Sequence, residues 1–162
     1  MNESYFTYYQ SPVGWLEIKI SERYLLGISF VDECKESSRH LPITARMCID
    51  QITEYFDGKR KDFEVPIFPS GSTFQIRVWD ELMKIPFGET LSYLELAKRI
   101  GDEKSIRAAG HASGLNPIAI IIPCHRVIGS DGSLTGYSGG LKNKQLLLDH
   151  EAKVAGKYTK LF

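Results

Sequence analysis

A chain of 162 residues, 43% hydrophobic and 25% charged, has the composition of a soluble globular protein and the length of one domain or two small ones, which excludes disordered, collagen-like and coiled-coil classes. The net charge of zero hides an asymmetry: residues 1–70 carry 8 basic and 11 acidic side chains and residues 71–162 carry 12 and 9, so the second part is the better suited to meet a phosphate backbone. The longest apolar run, Ile118 to Ile122, is far below the roughly 20 residues that cross a bilayer, Met1-Asn2-Glu3-Ser4 shows no secretory signal, and three irregularly spaced cysteines make neither a disulfide framework nor a Cys-x-x-Cys zinc pair, which points to a reducing, intracellular compartment.

The first thirty residues read as a strand meander. Tyr5 to Tyr9 is aromatic-rich, Ser11-Pro12-Val13-Gly14 is a turn, and Trp15 to Ile20 alternates with Leu16, Ile18 and Ile20 on one face. A third run, Leu25 to Phe30, follows Ser21-Glu22-Arg23. An amphipathic helix is expected over about 42–56, with Ile43, Met47, Ile52, Tyr55 and Phe56 near helical spacing and Gly58 just past its end. Lys59-Arg60-Lys61 reads as a solvated loop. The prolines and glycine of 66–71 mark a boundary, giving an N-terminal α+β unit over 1–70 and a mostly helical unit over 71–162.

The second unit opens on a capping box, Ser72-Thr73-Phe74-Gln75. Phe74, Val78 and Leu82 stripe the buried face of its helix, which Pro86 ends. Ser92-Tyr93-Leu94-Glu95 is a second capping box and predicts a helix from Tyr93 to Ile100, closed by Gly101. Asp102 caps a third helix running to about Ser113, with Gly114 as its stop. Two short helices joined by a Gly-containing turn fit a helix-turn-helix. The third helix is the candidate reader, because Ala108, Ala109, Gly110 and Ala112 allow close approach to a groove or to another backbone. Ile118 to Ile122 then reads as a buried strand or extended segment, Thr135 to Gly140 as a Gly-rich loop, and 141–151 as a last helix. The tail, 152–162, is weakly patterned.

The chemistry gathers at Pro123-Cys124-His125-Arg126-Val127. A free thiol has a pKa of about 8.5, so only a few per cent is thiolate at neutral pH unless a base or a positive charge helps. His125 is the adjacent base, but neighbours in extended backbone point to opposite faces, so a bridging water is the natural link, and a carboxylate would fix the imidazole tautomer. Cys34 and Cys48 have no neighbouring histidine and read as buried structural thiols.

Pro-Cys-His-Arg-Val at 123–127, preceded by Asn116-Pro117 and the isoleucine run and followed by Tyr137-Ser138-Gly139-Gly140-Leu141, resembles the active-site signature of the O6-alkylguanine-DNA alkyltransferases. Phe87-Gly88-Glu89, Ser92-Tyr93 and His150-Glu151 extend the match over about 72–151, while the N-terminal unit resembles the family's ribonuclease-H-like domain only loosely. The resemblance implies single-turnover transfer of an alkyl group from O6 of guanine, and from O4 of thymine, in DNA to Cys124, with no metal and no cofactor. It implies His125 as a base through water, Glu151 as the group that orients and charge-balances it, and Asn116 as a brace between reading helix and active site. Tyr93 would protonate the departing guanine and crowd a phosphate. Arg107 would fill the space of the extruded base, since a stacked base keeps O6 out of reach. Ala108 and Ser113 join Arg107 and Tyr93 as DNA-contacting positions, and Val127, Tyr137 and Ser138 would hold the flipped purine. The sequence departs from the family at Ser113 and Leu115, where Asn and Arg are common.

The expectation is therefore an α+β protein, monomeric and cytoplasmic (nuclear if eukaryotic), that acts on double-stranded DNA carrying O6-alkylguanine and has no membrane partner. Two rivals come from other classes. One is a lesion-binding protein that leaves its cysteine unused and binds without forming an adduct. The other is a thiol hydrolase, which would turn over repeatedly on an acyl substrate.

Overall fold

A computed structural model of the chain describes residues 3–157; Met1-Asn2 and the last five residues of the weakly patterned tail lie outside them. The chain divides into two compact units, residues 1–70 with 117–119, and residues 71–116 with 120–162.

The first unit is a three-stranded antiparallel sheet, β1 (Tyr5–Ser11), β2 (Gly14–Ile20) and β3 (Leu25–Val31), in sequence order and backed by α1 (Ile43–Phe56). The register follows from the turn, with Ser11 opposite Gly14 and Tyr5 opposite Ile20. Ser11 Oγ donates to Gly14 O at 2.8 Å, and Gly14 sits at φ 103°, which only a residue without Cβ adopts freely. Leu16, Ile18 and Ile20 are all fully buried, each contributing about 1.5–3 kcal/mol relative to exposure. The face that α1 buries differs from the sequence expectation. Thr44, Ala45, Cys48, Gln51, Ile52 and Tyr55 point inward, whereas Ile43 is 80% exposed and Met47 is exposed too. Both Gln51 and Thr44 are buried because they have partners: Gln51 Oε1 accepts from the amides of Glu64 and Val65, and Thr44 donates to Glu22 O. Cys48 is the buried thiol expected, and burial pushes it up to about 12. Cys34 is not: it is exposed, its Sγ bonded to Lys35 O in the loop after β3.

In the second unit, α2 (Thr73–Leu82) and α3 (Tyr93–Arg99) each begin at a complete capping box, Ser72 with Gln75 and Ser92 with Glu95. Helix α2 ends at Leu82, four residues before Pro86, so the proline follows the stop and does not make it. Ser92 also lies in β4 (Leu91–Ser92), which pairs in parallel with β5 (Val127–Ile128). Gly101, at φ 101°, closes α3. Asp102 caps a 3₁₀ turn over Glu103–Ser105, and α4 (Ile106–Gly114) follows, one residue longer than expected because Leu115 takes the cap. Trp79 of α2 donates from Nε1 to Ala112 O at 2.9 Å, anchoring α4 by its last turn. The final helix, α5, spans Leu141–Val154.

The isoleucine run is the main departure. It is buried as expected but is no strand: Ile118 makes one isolated bridge to Ile28, and Ile120 turns the chain at φ 74°. A β-branched residue there costs on the order of 1–3 kcal/mol, which burial of the neighbouring isoleucines offsets. Every helix among the described residues is too short and too polar to cross a membrane.

Candidate active site

Asn116 and Pro123 set the position of Cys124. Pro123 has φ −83° and ψ 63°, an inverse γ-turn that its ring pre-sets, and the amide of Cys124 bonds back to Ile122 O at 2.8 Å. Asn116 Nδ2 donates to the same Ile122 O at 2.6 Å and to Cys124 Sγ at 3.3 Å. Asn116 therefore braces the turn and the sulfur together. Cys124, His125 and Arg126 form a 3₁₀ turn, not the extended backbone expected for them.

The sulfur lines a cavity of about 450 Å³ bounded by Tyr93 of α3, by Arg107, Gly110, His111, Ser113 and Gly114 of α4, and by Thr135–Ser138, a size in the range of small-ligand clefts. Cys124 itself is 7% exposed. Burial raises its thiol above the ordinary value, against the opposing pull of the Asn116 hydrogen bond and the Lys144 charge. The resting sulfur is thus a thiol that needs a base.

His125 is the neighbouring imidazole. It is fully buried, and its Nε2 lies 2.8 Å from Glu151 Oε2 on α5. Burial and hydrogen-bond partners act in opposite directions on this pair. For Glu151, burial alone would raise the carboxyl, but hydrogen bonds from His125 and Arg126 and the Arg126 charge overcome it and hold the group ionised. For His125, burial dominates and lowers the imidazole despite Glu151. The pair is therefore carboxylate and neutral imidazole. Because an ionised carboxylate can only accept, Nε2 carries the hydrogen and Nδ1 keeps the lone pair. Nδ1 has no hydrogen-bond partner among the described residues.

Tyr93 Oη donates to Thr135 O at 3.0 Å, and burial raises its phenol, so it is a protonated donor at neutral pH. Arg107 and Ala108 are exposed on α4, whereas Ser113 is 4% exposed and faces the cavity, not the outer side of the helix. Tyr137 and Ser138 line the cavity. Val127 does not: it is fully buried, its amide bonds to Cys124 O, and it pairs with Leu91. Two site residues escaped the sequence reading. Lys144 is fully buried, its Nζ 3.2 Å from Thr135 O and 5.8 Å from the Tyr93 ring centroid. Arg126 clamps Glu151. Lys144 had a signal: with Leu147 and Glu151 it forms the buried stripe of α5 at spacings of three and four.

Replacing Asn116 by Ala removes a donor from the thiolate and from a buried carbonyl. The expected result is a loss of about 1–3 kcal/mol of stability and a Cys124 thiol raised further, with less thiolate at a given pH, because the Asn116 hydrogen bond that opposes burial is gone. The pH dependence of Cys124 alkylation by a small electrophile, beside a thermal melt, checks both.

Two family descriptions match the chain: the ribonuclease-like domain of 6-O-methylguanine DNA methyltransferase over residues 4–69, and its DNA-binding domain over 73–153. A methylated-DNA–protein-cysteine methyltransferase of Mycolicibacterium paratuberculosis is 43% identical over 156 residues, covering 94% of each chain. One of the same name from Methanosarcina acetivorans is 42% identical, covering 91% of this chain and 97% of its own. The crystal structure of the Mycobacterium tuberculosis O6-methylguanine methyltransferase superposes with a TM-score of 0.85 at 39% identity, over 93% of this chain and 94% of that one. Its complex with DNA gives 0.83 at 40% identity, over 92% and 93%.

Proposed function

The chain belongs to the 6-O-methylguanine DNA methyltransferase family, and from that premise we propose that it repairs duplex DNA by moving the alkyl group of O6-alkylguanine, and of O4-methylthymine less well, onto its own Cys124. One observation carries the assignment of the acceptor. Cys124 borders a ligand-sized cavity and is followed by an imidazole whose Nε2 is tied to a buried carboxylate and whose Nδ1 is a bare acceptor.

The thiol proton passes through water to His125 Nδ1, and the imidazolium is held by Glu151. The sulfur attacks the alkyl carbon, an S–C bond forms and the C–O6 bond breaks with its electron pair left on guanine. Tyr93 Oη gives guanine a proton and regains one at the expense of the imidazolium, so the thiol hydrogen is in effect delivered to the base. The thioether stays, and each molecule reacts once. Base extrusion is needed for reach, with Arg107 filling the vacated stack and α4 lying in the minor groove. Contacts are mainly to backbone, so sequence preference is weak. The protein acts as a monomer and needs no metal or cofactor in this scheme.

Intact-mass measurement after incubation with an oligonucleotide bearing O6-methylguanine tests it. A gain of one methyl group, mapped to Cys124 and saturating at one per chain, is the expected result. An unmodified protein bound to the lesion would instead favour the lesion-binding rival, and methyl groups accumulating in solution over many turnovers would favour a hydrolase.

A further inference from the structure

Arg126 is 6% exposed, and each of its three guanidinium nitrogens has a hydrogen-bond partner. Its Nε meets Glu151 Oε1 at 2.7 Å and its Nη2 meets Oε2 at 3.0 Å, a two-point fork. Its Nη1 donates to Ile85 O at 2.7 Å, and the guanidinium lies 5.6 Å from the Phe87 ring centroid. Glu151 Oε2 is thus shared between Arg126 and His125 Nε2. A carboxylate already neutralised by a guanidinium has less charge to offer an imidazolium than a free one.

We propose that Arg126 is a positioning residue of the proton relay: by holding both oxygens of Glu151 it aims the carboxylate at His125 Nε2 and offsets its charge, adding to burial in leaving Nδ1 free to receive the thiol proton. The proposal rests on the reading of His125 and Glu151 given above. Charge counting explains the need. With Arg126 present, the thiol, imidazole, carboxylate and guanidinium sum to zero before proton transfer and again after it, with Lys144 standing outside this set. Without Arg126 the carboxylate would lose its forked counter-charge, and His125 would be drawn toward holding a proton at rest. The charged and titratable groups around His125 are Cys124 and Arg126 from its own turn, Glu151 and Lys144 from α5, and Tyr137 from the loop before α5. Lys144 is the other cation that disfavours imidazolium, but its hydrogen bond goes to Thr135 O and not to Glu151.

The test is the titration of His125, followed by nitrogen NMR of histidine-labelled protein, beside the pH profile of single-turnover methyl transfer. In the wild type His125 titrates below the ordinary value of about 6.5, with its hydrogen on Nε2. In Arg126→Gln the midpoint rises by about one unit or more, and the acid limb of transfer moves up with it. Arg126→Lys, which keeps the charge but loses the fork, falls between the two. Lys144→Gln raises the midpoint less than Arg126→Gln does. A wild-type His125 that is imidazolium at neutral pH overturns the proposal without any variant, even if Arg126→Gln does not fold. So does a folded Arg126→Gln whose His125 midpoint is unmoved, or a larger shift from Lys144→Gln. The base reading fails separately: His125→Gln would then transfer methyl at the wild-type rate with the wild-type acid limb.

Discussion

Cys124→Ala takes up no methyl group from O6-methylguanine DNA, yet it binds the same duplex with an affinity within about threefold of the wild type, since a contact that carries no net binding energy changes Kd by well under 1 kcal/mol. The positions proposed to meet DNA do not depend on the sulfur: Arg107 and Ala108 lie exposed on α4, and Tyr93 is held by Thr135 O. The fold should tolerate the change. The sulfur receives only one hydrogen bond, at 3.3 Å, from Asn116, and that side chain keeps its shorter bond to Ile122 O; losing a weak sulfur contact costs on the order of 1 kcal/mol or less. Neither of the other cysteines can substitute. Cys34 is exposed in a loop, outside the cavity that Cys124 lines, and Cys48 is fully buried with its thiol pushed up to about 12. A labelled methyl group transferred to the variant, on either of those residues, would therefore remove Cys124 from the acceptor role, and loss of DNA binding in a folded variant would place the sulfur in the interface.

Replacing Glu151 has the largest expected effect on stability. Its side chain is 1% exposed and satisfies Arg126 twice and His125 once. Glu151→Ala leaves a guanidinium buried with only Ile85 O and the Phe87 face for company, and unpairing a buried ion costs about 3–5 kcal/mol. For a chain of this length that corresponds to a melting temperature lower by on the order of 10 °C. Glu151→Gln keeps the shape but aims an amide N–H at donors. It is expected to be milder in stability and still to lose about 10²–10⁴-fold in transfer rate, because a neutral amide does not hold the imidazolium. The pH dependence has a definite sign. The folded-state carboxyl is held below its ordinary 4.5, so its stabilisation is fully present above that value and is lost as pH falls below it. The gap in melting temperature between wild type and Glu151→Gln should be widest at neutral pH and shrink on acidification below about pH 4.5. A gap that stays constant, or widens in acid, would show that Glu151 is not ionised in the native protein.

Much of this molecule is legible along the chain, and the reason is range. Capping boxes act between residues three apart, so Ser72 with Gln75 and Ser92 with Glu95 mark the starts of α2 and α3 correctly. Strand alternation places Leu16, Ile18 and Ile20 inside. The signature around Cys124 also points to the cavity-lining sulfur and to its neighbouring base. What failed depends on which surface meets which. Apolar spacing put Ile43 and Met47 inward on α1, yet the helix turns Thr44, Cys48 and Gln51 to the sheet because Glu22 O and the amides of Glu64 and Val65 wait there. Five apolar residues suggested a strand, but no periodicity announces that Ile120 will sit at φ 74°.

The sequence by itself determined most of the helices and strands and the two capping boxes, and it singled out the side chains proposed to react, since propensity, capping and motif order are properties of neighbours in the chain. Only the tertiary structure decided the ionisation of those side chains. Arg126 and Glu151 are 25 positions apart and His125 and Glu151 are 26, and whether a buried group keeps or sheds its proton is set by the charges and dipoles that folding brings within a few ångströms, through a medium far less screening than water. Lys144, an ordinary helix charge when read along the chain, becomes a fully buried amine whose burial pulls its pKa down, for the same reason.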